Sequence, residues 1–281
     1  MVDAAQFLEQ LRKRMPPGVE PGSKEQRLQR MAERENRRHG NLDKLDGYHC
    51  AKCSNKGFSV YVKGEEIVQV TCSCDKARRS IANLKRSGLE AVVKKYTLGG
   101  FEAKQEWQKE MLGKAREFLE AVRKGDNYWF FVSGNTGCGK THICSAVAVQ
   151  LLRECKEVRY MLWRDESRKI KAAATERDNP IEIYKSAEVL YIDDLFKIGR
   201  TAKGELPFPS GADITLVYEL LNYRIVKGLT TIISSEFSIE DIFEMDAATA
   251  GRIKEASGPF LINVGNDMRK NYRLYGGEAP L

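Results

Sequence analysis

The chain is predicted to be an α/β protein built on a five-stranded parallel sheet, with a small cysteine-clamped hairpin ahead of it. Three observations predict this. After Tyr128, five short apolar runs (YWFFVS, VRYMLW, VLYIDD, TTIISS and PFLINV) are separated by helix-like segments. Continuous apolar runs mark strands covered on both faces, and their alternation with helices marks a parallel sheet. The first run leads straight into a glycine-rich turn followed by a helical pattern, and two cysteine pairs bracket a strand–turn–strand pattern between Cys50 and Cys74.

The 281 residues suffice for one large domain or two smaller ones. A hydrophobic share of 42% with 30% charged residues fits a globular chain with some highly charged segments. No apolar stretch approaches bilayer length, and the opening MVDAAQFLEQLRKRM has acidic residues and no apolar run. A cytoplasmic location is therefore expected, where thiols stay reduced. The formal charge of +7 permits nucleic-acid binding without establishing it.

Residues 1 to about 46 read as helix, Pro/Gly break, helix. Phe7, Leu8 and Leu11 share one face of the first, while Leu28 and Met31 are the only strong apolar residues of the second. So thin a stripe buries little by itself, and this arm is expected to dock on a partner or stay mobile. Residues 47–75 change character: GFSVYVKGEEIVQVTCSC alternates, turns at Lys63-Gly64-Glu65, and alternates again. Residues 76–125 read as helices, the last with Met111, Ala115, Phe118, Leu119 and Val122 at helical spacing, and TLGGF as a loop before it. From Asp75 to Lys95 there are seven Lys/Arg against two acids, either a solvated helix face or a basic contact surface. The expected organisation is an N-terminal region over 1–95, with a hairpin module at about 47–75 and a basic helical connector, then a core over 96–281.

The strongest motif follows the first core strand: Gly134, Asn135, Thr136, Gly137, Cys138, Gly139, Lys140, Thr141 and then His142. This is the G-x-x-x-x-G-K-[ST] phosphate loop in its required strand–loop–helix context. The glycines let main-chain N–H groups converge on phosphate oxygens, and the helix start adds partial positive charge. Lys140 is placed to reach the β and γ phosphates and Thr141 to ligate Mg²⁺. The loop needs an acidic partner at the end of another buried strand. VLYIDD supplies Asp193 for the Mg²⁺ shell and Asp194 to polarise the attacking water, and TTIISSE ends in Ser234, Ser235 and Glu236, where a strand between the two motif strands would meet the γ-phosphate or the water.

Cys50, Cys53, Cys72 and Cys74 are spaced C-x₂-C, eighteen residues, C-x-C. Four thiolates at the ends of one hairpin can close a tetrahedral structural Zn²⁺ site, with a redox pair or an iron–sulfur cluster as alternatives. His49 is a possible substitute ligand. Cys138, in the phosphate loop, and Cys144 and Cys155, placed on the following helix, read as small core or loop residues.

The combination of GNTGCGKTH, VLYIDDLFK, LLNYRIVKGLTTIISSE and AGRI resembles the DnaC/DnaI-type helicase loaders, including their phage versions, from about Cys50 to Arg273. The resemblance implies an AAA+ ATPase core without a C-terminal lid. It further implies ATP and Mg²⁺ as ligands, a replicative DnaB-type helicase and single-stranded DNA as partners, and an N-terminal arm and zinc module that hold the helicase. Arg252 in AGRI matches the family's arginine finger and implies self-association, with Arg224 a weaker interface candidate. The segment DESRKIKAAATE matches a DNA-contacting helix, with Arg168, Lys169 and Lys171 on phosphates. Two departures bear on catalysis. Asp193-Asp194 stands where many AAA+ proteins have Asp-Glu, which implies slow turnover, and Glu236 stands at a sensor position that is often Asn. Asp194 is therefore expected to be the main water-polarising group. The alternatives are a transposition helper ATPase acting on duplex DNA, a small-substrate P-loop kinase, and a nucleotide-switched helicase adaptor with little hydrolysis.

Overall fold

The computed structural model describes residues 23–86, 95–173, 179–197, 207–265 and 267–275. The helix expected over AAQFLEQLRKRM and most of LEAVVKKY lie outside the described residues. The chain forms two compact units, the first ending at Asp75 and the second beginning at Lys76. Most of the basic stretch after Asp75 therefore belongs in sequence to the second unit.

The first unit contains α1 (Lys24–Arg37), α2 (Leu42–Asp46), β1 (Phe58–Lys63) and β2 (Glu66–Thr71). Ser23 starts α1 with a reciprocal cap: its hydroxyl accepts from the Gln26 N–H, and the Gln26 side chain accepts from the Ser23 N–H. β1 and β2 pair antiparallel from Phe58↔Thr71 to Lys63↔Glu66, turning at Gly64 as the sequence predicts. The expectation for the second arm helix is corrected here. α1 is not a free arm but is bonded to the hairpin. Asn36 Nδ2 donates to the Val60 carbonyl at 2.8 Å, and the Val60 N–H donates to Asn36 Oδ1 at 3.0 Å. One amide thus satisfies both main-chain groups of Val60 at the outer edge of β1. Burial on α1 falls on Ala32, whereas Met31 is 60% exposed. The smaller side chain lets the helix approach closely enough for Asn36 to reach the strand.

Helix α3 (Cys74–Arg86) runs into the second unit, where Ala77, Ser80, Ile81 and Leu84 are buried. Then follow α4 (Glu106–Lys124), β3 (Phe130–Ser133), α5 (Lys140–Arg153), β4 (Val158–Leu162), α6 (Trp163–Ala172), α7 (Ile181–Lys185) and β5 (Val189–Leu195). The remainder comprises α8 (Gly211–Val226), β6 (Thr230–Ser235), α9 (Ile239–Met245), α10 (Ala247–Ser257), β7 (Leu261–Asn263) and α11 (Tyr272–Tyr275). Among the described residues the sheet of this unit has five strands in the order β4-β5-β6-β3-β7, all parallel. β6 thus separates the strand that feeds the phosphate loop from the strand that carries Asp193, the arrangement expected of the AAA+ core. β3 and β6 are buried along their whole length, which accounts for their uninterrupted apolar runs. On α4 the residues predicted to face inward are buried: Met111, Ala115, Phe118, Leu119 and Val122. Cys155 is not helical: α5 ends at Arg153, and Cys155 lies beyond it at φ 66°.

Arg224 is not an interface residue. It is fully buried on α8, where Nη1 donates to the carbonyls of Tyr184, Lys185 and Ala187 at 2.8–3.0 Å. Nη2 donates to the Thr230 carbonyl at 2.6 Å and Nε to Thr231 Oγ1 at 2.9 Å. The guanidinium closes the C-terminal carbonyls of α7 and ties them to the start of β6. Burial pulls its pKa down to about 9, still above neutrality, so it keeps its charge at pH 7. Replacing Arg224 with Met would leave these buried acceptors unpaired. The expected loss is at least about 3 kcal/mol of stability, read as a lowered urea midpoint of unfolding. An unchanged midpoint would refute this role.

Candidate functional site

The cysteine cluster is built by tight local turns. Ser54 and Asn55 take left-handed backbone angles (φ 48° and 63°) after Cys53. The Asn55 N–H donates to the Cys50 carbonyl at 3.1 Å, the Lys56 N–H donates to the Cys53 carbonyl at 3.1 Å, and the Cys50 N–H donates to Asn55 Oδ1 at 2.7 Å. The hairpin returns Cys72, whose N–H donates to the Gly57 carbonyl at 2.8 Å. A Cβ on Gly40 would lie 2.3 Å from the Asn55 carbonyl oxygen, so only glycine fits beside this turn.

All four Sγ atoms lie within 4.8 Å of one another, and all four residues are buried. Cys50 and Cys72 sulfurs are 3.9 Å apart and those of Cys53 and Cys74 3.7 Å apart. A tetrahedron of sulfurs about 2.3 Å from a metal has edges of about 3.8 Å, so these residues fit zinc. Each is a free thiol, which excludes disulfides. Burial raises the pKa of Cys50. At Cys53 burial acts the same way, but the Gly57 N–H and the neighbouring thiols outweigh it and bring the pKa down to about 7, favouring thiolate. His49 is outside the cluster; its Nδ1 is 3.1 Å from Asn55 Nδ2.

In the second unit, β3 delivers the phosphate loop and α5 begins at Lys140. Gly134, Gly137 and Gly139 all have positive φ. At Gly137 a side chain is also excluded sterically, because a Cβ would lie 2.1 Å from Asn271 Oδ1. The Tyr272 N–H donates to the Gly137 carbonyl at 3.0 Å, so the segment entering α11 braces the loop from outside. Lys140 is buried in the loop, and its Nζ donates to the carbonyls of Gly134 and Asn135 at 2.7 and 2.8 Å. Burial raises the Cys138 pKa, keeping that side chain a thiol.

Asp193 lies near the C-terminal end of β5, buried. Its Oδ1 accepts from Thr141 Oγ1 at 3.2 Å, Tyr191 OH at 2.9 Å and Ser234 Oγ at 2.5 Å, and its Oδ2 accepts from Tyr160 OH at 2.9 Å. Burial and the Asp193 charge raise both tyrosine pKa values, so each remains a donor. Thr141 and Asp193 are thus adjacent oxygen ligands of the kind that suits Mg²⁺.

Asp194 follows in a left-handed conformation (φ 56°), with its N–H donating to Ser234 Oγ at 2.9 Å. Burial, then the charge of Asp193, raises its pKa. Glu236 accepts from Thr136 Oγ1 at 2.7 Å, joining the loop to the end of β6. Burial opposes its ionisation, but bonds from Lys197 and Thr136 outweigh burial and hold its pKa low. Lys197 lies between the two acids, 3.1 Å from Asp194 Oδ2 and 2.7 Å from Glu236 Oε1. These groups share one cavity of about 320 Å³ with the phosphate loop.

Sequence reading named His142 in this cavity but missed the residues around it. Tyr96, Phe101 and His142 form an aromatic wall, with ring centroids 4.9 Å apart for Tyr96–His142 and 5.2 Å for Phe101–His142. Lys197, Tyr272 and Arg273 line it as well. The aromatics around TLGGF and the lysine three residues after Asp194 were the available signals, but neither belongs to a motif with fixed spacing. Burial lowers the pKa of His142 and so favours its neutral ring.

The remaining candidates lie away from the cavity lining. Arg252, on α10, stacks 4.5 Å from the Tyr218 ring centroid and donates to Asn222 Oδ1, the Ala248 carbonyl and the Tyr218 hydroxyl at 3.0–3.1 Å. On α6, Arg168 and Lys169 are exposed, and Lys169 pairs with Glu166 at 2.7 Å. Lys171 is engaged by the buried Asp213, which caps α8.

A strand–loop–helix phosphate cradle, with a hydroxyl and a carboxylate paired beside it on a parallel sheet, defines a P-loop nucleotide-binding protein. More narrowly, the family model described as "IstB-like ATP binding protein" matches residues 55–250, and the chain belongs to that family. It is similar to XkdC, a protein of the phage-like element PBSX of Bacillus subtilis (strain 168), at 29% identity over 240 residues, covering 82% of this chain and 87% of XkdC. Among solved structures, a DNA replication initiation factor is similar at TM-score 0.50 and 18% identity, covering 65% of this chain and 53% of that one. DnaI gives TM-score 0.49 at 19% identity, covering 62% and 92%. Likeness at this identity shows the fold alone. No described helix is long and apolar enough to cross a membrane.

Two predictions follow from this geometry. Metal analysis of protein purified without chelator should find zinc, and Cys50→Ser should lose it while ATP binding persists. Gly137→Ala should weaken ATP binding at least about tenfold by titration, because it forces both the loop and Asn271 to shift.

Proposed function

We propose that this protein is an ATP-driven loader of a replicative DnaB-type helicase onto single-stranded DNA. The observation that carries this reading is the separate first unit, clamped by Cys50, Cys53, Cys72 and Cys74. Among the described residues, those that line the phosphate cavity all belong to the second unit. A small unit whose four cysteines fit their own metal suits a docking module rather than a part in hydrolysis. The motif resemblance to DnaC/DnaI-type loaders supplies the partner, and membership of an ATP-binding family supplies the nucleotide. A transposition helper is not expected to carry the cysteine hairpin, which counts against that alternative.

In this reading the loop N–H groups and Lys140 bind the phosphates, while Thr141 and Asp193 hold Mg²⁺, which would neutralise phosphate charge. Water attacks the γ-phosphorus, and the new P–O bond forms as the bond to the bridging oxygen breaks. ADP leaves with that electron pair, and the water's proton passes to Asp194. Burial beside Asp193 makes the Asp194 carboxylate a better proton acceptor than an ordinary one. Arg252 of a neighbouring copy serves as the finger for the γ-phosphate, for which it must leave its own Tyr218 stack. Arg168 and Lys169 offer phosphate contacts to single-stranded DNA, and Lys171 contributes only if it gives up Asp213.

Asp194→Asn should lower ATP turnover by about a hundredfold or more, with a smaller effect from Glu236→Gln; the reverse order would sink the assignment. Asp194 must be ionised to take the proton, so turnover should fall as pH drops through its raised pKa. The acid limb of the pH profile should therefore lie above the ordinary carboxylate range. For the loader reading itself, full-length protein should capture the host's replicative helicase, and Cys50→Ser should lose that capture. Turnover should also rise with single-stranded DNA. Equal capture by both proteins would refute the docking role of the first unit.

A further inference from the structure

We propose that Lys197 is the residue that reads the third phosphate, so that the cavity distinguishes ATP from ADP through it. This deepens the ATP reading of the site and rests on it.

The argument starts from charge. Asp194 and Glu236 both face the cavity that holds the phosphate loop. The loop N–H groups and Lys140 surround the position of the first phosphates, and ADP needs no more than that. A third phosphate would add negative charge to a cavity that Lys140 shares with the two carboxylates, so a second cation is needed near it. Of the basic residues that line the cavity, Lys197 is the one paired with both acids. Its ammonium is shared by the two acids, at 3.1 Å from Asp194 and 2.7 Å from Glu236. Burial disfavours its charge, but Glu236 and Asp194 outweigh burial and raise its pKa, so it is held as ammonium.

The backbone shows that this placement is built. Asp194 and Phe196 are both non-glycine residues at positive φ (56° and 65°), on either side of Leu195. The register of β5 against β6 shifts between Ile192 and Leu195, and the Lys197 N–H closes the turn on the Asp194 carbonyl at 3.0 Å. Two strained residues in a three-residue span are costly and persist where the surroundings enforce them. What this turn achieves is to bring the Lys197 ammonium back over the end of the sheet, between the acids. The side chain is one-third exposed, so it retains room to swing.

Phosphate oxygens and carboxylates are competing acceptors for one ammonium. When the third phosphate is present, Lys197 transfers toward it, screens it from Asp194 and Glu236, and releases both carboxylates. Asp194 is thereby free of its ion pair only when a hydrolysable phosphate is in place. With ADP the ammonium stays on the acids. One lysine thus sets the preference for the triphosphate and also times the exposure of the carboxylate.

The test compares binding of a non-hydrolysable ATP analogue and of ADP, each with Mg²⁺, to full-length wild type, Lys197→Met and Lys197→Arg. Lys197→Met is expected to weaken the ATP analogue at least about tenfold and ADP less than about twofold. Lys197→Arg should recover most of the ATP-analogue affinity, because it keeps a cation at the same place. Equal weakening of both nucleotides, or no weakening of either, would overturn the proposal. Tight ADP binding by Lys197→Met also reports that the variant is folded. If wild type bound neither nucleotide, the ATP reading of the cavity would fail first. Failure of helicase capture alone would leave this inference untouched.

Discussion

The carboxylate of Asp193 is the point on which the second unit converges. It accepts hydroxyls from Thr141 at the start of α5, Tyr160 on β4, Tyr191 on its own strand and Ser234 on β6. Three neighbouring strands and the phosphate-loop helix are thereby held in register at one buried anion. Such an anion is costly to bury without donors, and four hydroxyls supply them. The same convergence places two adjacent oxygen groups, Thr141 and Asp193, beside the loop. Structural economy and chemistry coincide there, because the groups that satisfy the charge also aim it.

Around that fixed point the cavity is balanced rather than uniformly basic. Lys140 is held by the loop's own carbonyls, and Lys197 is held by Asp194 and Glu236. Thr136 ties the loop to Glu236, and Asn271 and Tyr272 brace it at Gly137. The loop is thus contacted from β6 on one side and from the segment entering α11 on another. The first unit obeys a different principle. It is small, and its hairpin is mostly exposed, so the cysteine cluster and the Asn36 bond to β1 help hold its form.

Much of the fold was legible because its signals are local. The five core strands, the helix over Glu106–Lys124 and the hairpin turn at Gly64 follow from apolar runs, helical spacing and turn chemistry. The cysteine cluster was legible because the hairpin makes its four ligands near neighbours. Arg224 was misread because an arginine on a helix looks the same in sequence whether it faces a partner or a set of buried carbonyls. Lys171 has a partner in Asp213, 42 residues away, that no spacing rule connects to it. Met31 was named for its size, yet close approach to the hairpin favoured Ala32.

The sequence by itself determined the phosphate loop, the acidic strand end that serves it and the thiolate set, since each depends on residue types at short, fixed spacings. Only the tertiary structure decided which cations are available to a ligand. Lys140, Lys171, Lys197, Arg224 and Arg252 are all basic residues of the second unit. What separates a phosphate ligand from an ion pair, a carbonyl clamp or an aromatic stack is the neighbour each one meets. Those neighbours lie on other strands and helices, and electrostatic energy depends on distance in space rather than along the chain.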